Sequence, residues 1–144
     1  MTIIESIKQY ILTCPLLAEL KRLNVDFLPE DPNTYSIEEV PAQAVIRTYI
    51  DGSTERQFVF VFASRFNYNE ESRTNIENSG FYEDFSAWLE DQTDEGNLPQ
   101  MTGGKTASKI EAMSSGYLYD IAGGMDNARY QIQCRLIYDQ ERKS

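Results

Sequence analysis

One stretch of the chain decides the fold, and it reads Arg56-Gln57-Phe58-Val59-Phe60-Val61-Phe62-Ala63-Ser64-Arg65. Phenylalanines occupy alternate positions, and Val59, Val61 and Ala63 stand between them. Because successive side chains of a strand point to opposite faces, both faces of this strand are apolar. Such a strand is typical of the middle of a sheet that is covered on both sides. A helix of the same chain and a neighbouring subunit are the two candidates for the second cover.

The residues before this stretch predict its neighbour in the sheet. Residues 43–50 alternate in the manner of a strand, and Asp51-Gly52 follows them directly. Asp-Gly between two β-patterned runs is the strongest short-range signal for a hairpin. The two strands are therefore predicted to be antiparallel neighbours. Weaker strand patterns cover residues 25–28 and 35–40.

Two amphipathic helices are predicted to pack on this sheet. Thr2 and Glu5 form a capping box at the start of the first helix. Pro15 interrupts its apolar stripe, so a broken helix is expected over residues 2–23. In the second helix, apolar side chains recur at helical spacing and acidic ones occupy the opposite side. The apolar positions are Phe81, Phe85, Trp88 and Leu89.

The last third of the chain predicts two more strands. Residues 108–119 form an irregular strand, with Gly116 at a change of phase that indicates a β-bulge. A loop over residues 120–127 leads to residues 129–138, which alternate strictly, so one set of side chains is predicted to face the core. That set is Tyr130, Ile132, Cys134, Leu136 and Tyr138. The charged tail, residues 139–144, is expected to fray.

These elements predict one α+β domain over residues 1–144. We expect a mostly antiparallel sheet of about 4–5 strands with two main helices packed on it, in helix–hairpin–helix–hairpin order. The chain shows no internal repeat and no linker that would divide it.

The composition limits the classes of function. The chain has 13 basic and 23 acidic residues and a formal net charge of −10, which argues against wrapping nucleic acid. No run of roughly 18 uncharged apolar residues occurs, and the first residues lack a signal-peptide pattern, so we expect a cytosolic product. Cys14 and Cys134 are expected to be two buried small hydrophobes, with a disulfide or a metal pair as the alternative.

Signals for catalysis are weak. The sequence contains no histidine, which removes Ser-His-Asp and Cys-His catalysis and histidine metal sites. Gly103-Gly104-Lys105-Thr106 resembles the end of a phosphate-binding loop, but Pro99 stands where that loop needs its first glycine. Carboxylate pairs such as Glu83-Asp84 and Glu90-Asp91 fit the solvated side of a helix better than a cation site. We therefore expect no catalytic residue, no metal and no cofactor.

An interface with a subunit or partner has better candidates. Aromatic and arginine side chains are enriched at the centres of protein interfaces, and several follow the decisive strand or lie on the outer phase of the last one. The candidates are Arg47, Arg65, Phe66, Tyr68, Arg129, Gln131, Gln133 and Arg135. Packing of Tyr68 on its own loop is the alternative for that residue.

Three parts of the chain carry a family resemblance. They read Tyr49-Ile50-Asp51-Gly52-Ser53-Thr54-Glu55-Arg56-Gln57-Phe58 with Phe62-Ala63-Ser64-Arg65, then Asn75-Ile76-Glu77-Asn78-Ser79-Gly80-Phe81-Tyr82-Glu83, and Ala128-Arg129-Tyr130-Gln131-Ile132-Gln133-Cys134-Arg135-Leu136-Ile137-Tyr138. These segments resemble a family of small phage proteins usually labelled minor capsid. The predicted element order is similar to that of tail-terminator proteins, which also occur in phage tail-like bacteriocins.

The resemblance implies a structural role in a phage tail or tail-like particle. A terminator forms a ring, expected to be a hexamer, that caps the tail tube and joins it to the neck, head or collar. Implied partners are further copies of the chain, the tail tube protein, and a sheath, neck or collar protein, with DNA at most passing through the lumen. An accessory minor capsid or head–tail adaptor protein that forms no ring is the alternative, and a small enzyme is a third. In a ring, the adjacent subunit would cover the part of the second strand face that its own chain leaves open.

Overall fold

The computed structural model describes residues 1–17, 23–26, 28, 34–67, 72–121 and 127–142, with the backbone alone at 66–67, 72–79, 120–121 and 127. In chain order, the elements are helix α1 (Ile3–Ile11), a short 3-10 helix (Pro15–Leu17), strands β1 (Leu23–Val25), β2 (Thr34–Val40), β3 (Val45–Thr48) and β4 (Thr54–Asn67), helix α2 (Ser72–Glu95), and strands β5 (Lys105–Ala112), β6 (Tyr117–Ile121) and β7 (Asn127–Gln140). Neither helix has the length and apolar content of a membrane span within these described residues.

The strands form one mixed seven-stranded sheet in the order β1-β2-β4-β7-β5, with β3 beside β4 and β6 beside β7. β1 and β2 are parallel, and the other pairs are antiparallel. Strands β2 and β3 lie one after the other along the same edge of β4, with Val40 opposite Val59 and Val45 opposite Arg56. Strands β5 and β6 share the far edge of β7 in the same way. β4 and β7 are therefore the central pair.

The predicted fold class is wrong in its sheet. The expectation was a mostly antiparallel sheet of about 4–5 strands under two main helices, but the sheet is larger and mixed, with seven strands. One reason is the predicted strand over residues 108–119, which splits into β5 and β6. Another is the three-residue strand β1, which pairs parallel with β2; the weak strand pattern predicted over residues 25–28 overlaps β1 only at Val25.

Several element bounds also differ from the prediction. The first helix ends at Ile11, and the chain continues through a 3-10 turn, because Pro15 cannot extend an α-helix. Residues 18–22 lie outside the described part of the chain, and β1 begins at Leu23, where the helix was expected to end. β7 runs on to Gln140, so the tail is paired further than expected, with Asp139 opposite Glu55.

The hydrophobic core lies between the helices and one face of the sheet, called here the inner face. Phe60 and Phe62 of β4 are completely buried on this face, as the alternation predicted. The ring of Phe62 stacks on Phe85 of α2 with 4.5 Å between centroids. All five β7 side chains that were predicted to face the core are buried, and these are Tyr130, Ile132, Cys134, Leu136 and Tyr138.

Gly116 lies at a close contact between α2 and the break that separates β5 from β6. A Cβ atom added to Gly116 would lie 2.3 Å from Cβ of Tyr82. Tyr82 cannot retreat, because its side chain is 1% exposed and its hydroxyl donates to the carbonyl oxygen of Tyr130 at 2.9 Å. Ser64 bonds the same hydroxyl from β4. The prediction that Gly116 marks a β-bulge is wrong, because Gly116 lies in the gap between β5 and β6 and the register shifts fall at Ser108 in β5 and Tyr119 in β6.

We predict that Gly116→Ala destabilises the protein by about 1–3 kcal/mol, because the added methyl group overpacks a site that cannot relax. Gly80→Ala is the matched control in the interior of α2, where an added Cβ meets nothing within 4 Å. This control should raise stability by about 0.5–1 kcal/mol through helix propensity. Urea unfolding of both variants measures the two free energies. Equal effects of the two substitutions would contradict the contact with Tyr82.

Candidate interaction surface

The face of the sheet turned away from the helices, called here the outer face, carries most of the predicted interface residues. Val59, Val61 and Ala63 of β4 lie at its centre and are 7%, 5% and 0% exposed. Around them stand the outward side chains of β7, which are Arg129, Gln131, Gln133 and Arg135. The expectation that a neighbouring subunit covers these three apolar residues is wrong, because they are already buried in the single chain.

Arg135 covers one end of the apolar centre. It lies directly opposite Val59 in the β4–β7 pairing. Its Nε donates to Glu111 of β5 at 2.7 Å, and its Nη1 donates to Gln57 of β4 at 3.2 Å. Lys109 forms a second ion pair with Glu111 at 3.2 Å. Long polar side chains bury their aliphatic stems in such arrangements, so this network shields Val59 while its charged groups stay at the surface.

Arg129 and Gln131 form a second network nearer the other end of the strands. Nη2 of Arg129 lies 3.0 Å from a carboxylate oxygen of Glu38 in β2. Its Nε donates to Gln131 at 3.0 Å, and Nε2 of Gln131 donates to the hydroxyl of Tyr117 at 2.6 Å. The guanidinium carbon of Arg129 is 4.9 Å from the ring centroid of Tyr119, a cation–π distance. The network joins side chains of three strands, β2, β7 and β6, and Gln131 within it is only 5% exposed.

Arg65 is an interface candidate on the outer face with buried donors that have no hydrogen-bond partner among the described residues. It lies directly opposite Arg129, and like charges in such a pair repel each other. Its Nε and Nη1 are the buried side-chain polar atoms without a hydrogen-bond partner in the part of the chain that the structure describes. Unpaired buried donors cost free energy, so an acceptor brought to Arg65 would be stabilising.

The remaining candidates lie apart from these networks. Arg47 is exposed in β3 and lies opposite Glu55, which shares the outer face with Val59, but it is far along β4 from Arg65. The backbone of Phe66 pairs with Ala128, and Tyr68 lies outside the described residues. The structure thus places six of the eight candidates on one face, five of them close together on β4 and β7, and their role in subunit contact stays a prediction.

The prediction missed the residues that pair with these candidates. Glu38, Gln57 and Glu111 each accept a bond from an outer-face arginine. Alternation in β2 could have placed Glu38 on the outer face, since Tyr35 and Ile37 occupy the opposite phase. The sequence pattern also did not predict that apolar side chains of β3 and β6, such as Ile46 and Leu118, are exposed. These strands are short and irregular, so their sequence pattern does not show which side chains face solvent.

The cysteine prediction is confirmed. Cys14 and Cys134 are free, and they are 2% and 0% exposed. Burial raises the pKa of both thiols above the ordinary value. A buried thiol of raised pKa is a weak nucleophile, so these residues contribute packing. In the described ranges, no group of three or more cysteine or carboxylate side chains is placed to hold a metal ion.

Comparison with known proteins adds no family assignment: no protein-family model matches the chain, and no curated protein matches it.

The Arg135–Glu111 pair gives the outer face a pH dependence. Partial desolvation alone would raise the pKa of Glu111, but bonds from Arg135 and Lys109 outweigh it and hold the pKa below its ordinary value. A carboxyl group with a lowered pKa in the folded state adds stability above the unfolded pKa, about 4.3. This contribution is lost as the pH falls through the lower folded value.

We predict that Glu111→Gln lowers stability at neutral pH and that its difference from the native chain shrinks below about pH 4, where the native carboxylate is protonated. Glu83→Gln is the control, because it removes an exposed carboxylate that has no ion pair with a described residue. Chemical unfolding of the three proteins between neutral and acid pH measures the differences. A Glu111→Gln effect that stayed constant across this range would contradict the proposed ion pairs.

Proposed function

We propose that the chain is a structural component of a phage tail or tail-like particle, acting as a tail terminator. In this proposal, copies of the chain form a ring, expected to be a hexamer, that caps the tail tube and joins it to the neck, head or collar. The ring assembles in the cytoplasm of the bacterial host and remains in the finished particle. Its partners are the tube protein and a sheath, neck or collar protein.

The observation that carries this proposal concerns the three segments that resemble phage minor capsid proteins. They occupy the β3–β4 turn with two parts of β4, the first half of α2, and most of β7. One residue from each of the three segments takes part in a buried hydrogen-bond network. Tyr82 of α2 donates to the backbone of Tyr130 in β7 and bonds Ser64 in β4. The resembling segments are therefore those that build the centre of the fold, which supports a resemblance of structure.

The electrostatics agree with a ring through which DNA passes or which closes an empty tube. The net charge of −10 disfavours adhesion to phosphate backbones. The exposed side of α2 between residues 83 and 95 carries six carboxylates and no basic residue, and these are Glu83, Asp84, Glu90, Asp91, Asp94 and Glu95. A surface of this kind would let DNA slide past without binding it.

Sedimentation of the purified chain, alone and with purified tail tubes, tests the proposal. We expect a closed species of about six times the 16.5 kDa chain mass, formed in solution or at the tube end, and tubes that stop growing once it binds. An unrelated acidic protein of similar size is the control for non-specific binding. A chain that stays monomeric and binds one copy per tube end would favour the adaptor alternative, and one that ignores tubes would overturn the proposal.

A further inference from the structure

The half-buried arginines of β7 each pair with a glutamate of a flanking strand. Nε of Arg135 lies 2.7 Å from a carboxylate oxygen of Glu111 in β5. Nη2 of Arg129 lies 3.0 Å from a carboxylate oxygen of Glu38 in β2. Hydrogen bonds between charged groups are shorter and stronger than neutral ones. The outer face therefore compensates the charge of these two arginines with carboxylates.

Arg65 of β4 lacks such a partner. The strand register places Thr34 of β2 on one side of it and Arg129 of β7 on the other, so neither cross-strand neighbour is acidic. Its Nε and Nη1 are buried without a hydrogen-bond partner, and it forms no ion pair with a described residue. Unsatisfied buried donors cost free energy, and a like charge directly opposite adds repulsion.

Water does not satisfy these donors, because both atoms are buried. Arg65 as a whole is only half-buried, so the site lies at the surface of the outer face. Arg65 and Arg129 bring two positive charges together here, and the paired Glu38 supplies one negative charge. Among the described side chains, this end of the outer face keeps an uncompensated positive charge within a chain of net charge −10. An anion suits such a site better than a neutral ligand.

The outer face also indicates which anion fits. The existing partners of Arg129 and Arg135 are both carboxylates, and a guanidinium matches a carboxylate through two parallel hydrogen bonds. A nucleic acid is a poor source of the anion, because a chain of net charge −10 repels a phosphate backbone. A single carboxylate side chain carries one charge and meets less repulsion.

We propose that Arg65, with Arg129 beside it, binds a carboxylate side chain of a partner protein. The bound carboxylate completes on β4 the arrangement that Glu38 and Glu111 give to the arginines of β7. The assignment of that partner to the tail rests on the proposed function, whereas the carboxylate site itself does not.

Side-chain NMR of the full chain tests the site, with a capped Gly-Glu-Gly peptide as the probe and capped Gly-Gln-Gly as its matched control. At constant ionic strength, only the glutamate peptide is expected to shift the Nε–H signal of Arg65 in a saturable manner. Arg65→Met keeps the aliphatic stem but removes the donors, so it should weaken binding by about tenfold or more in calorimetry. Arg47→Met is the control variant, because Arg47 is exposed on the same face and forms no ion pair with a described residue. It should leave the affinity unchanged.

Urea unfolding supplies a second readout. Without peptide, Arg65→Met should raise the urea midpoint, because it removes unpaired buried donors and the repulsion from Arg129. The glutamate peptide should raise the midpoint of the native chain but not that of the variant. A midpoint lowered by Arg65→Met in a variant that circular dichroism shows to be folded would mean that the chain already satisfies this guanidinium, and the proposal would be overturned.

Further outcomes separate the site from other ligands and from the proposed function. Equal responses to the two peptides, or equal affinities of the native chain and Arg65→Met, would overturn the site. A single-stranded oligothymidylate that binds through Arg65 more tightly than the glutamate peptide would replace the carboxylate with a phosphate. Peptide binding through Arg65 in a chain that ignores tail tubes would overturn the terminator function and retain the site. Normal capping of tubes by Arg65→Met would leave the terminator function standing and overturn a tail partner for this site.

Discussion

The pairing of β4 with β7 is the interaction on which the rest of the structure depends. Fourteen residues of each strand pair without a register shift, from Thr54 opposite Gln140 to Asn67 opposite Asn127. A slip by one residue would move every side chain of a strand to the other face of the sheet. The continuous register therefore fixes which residues meet the helices and which form the outer face. All other strands except β1 attach to one of these two.

The two faces of this central pair are covered by different means. On the inner face, aromatic and aliphatic side chains from the strands pack against α1 and α2, with Phe60 and Phe62 completely buried. On the outer face, the apolar residues of β4 lie under the aliphatic stems of Arg129, Gln131 and Arg135, whose polar ends bond to neighbouring strands. A strand that is apolar on both faces thus needs no second layer of backbone, provided that its neighbours carry long, mutually paired side chains.

Local pattern predicted the parts of the fold that depend on local sequence. The alternation of residues 56–65 and 129–138, the Asp51-Gly52 turn and the apolar side of α2 all indicated elements that the structure contains. The parallel pairing of β1, the close contact of Gly116 with Tyr82 and the hydrogen bond from Thr93 to the backbone of β5 each depend on residues distant in sequence. The periodicity of a single segment therefore does not predict them. The same limit applied to the candidate surface: the arginines were identified, but their acidic partners on β2 and β5 were not.

Amide hydrogen exchange tests the central role of the β4–β7 pair most directly. If this pair holds the fold together, amides around Phe60, Phe62, Ile132 and Cys134 exchange only through global unfolding, with the free energy that urea unfolding gives. Amides of β3 and β6, which pair along one edge only, should exchange through smaller openings. Exchange of the β4 and β7 centres at a lower free energy than that of β3 or β6 would contradict the account.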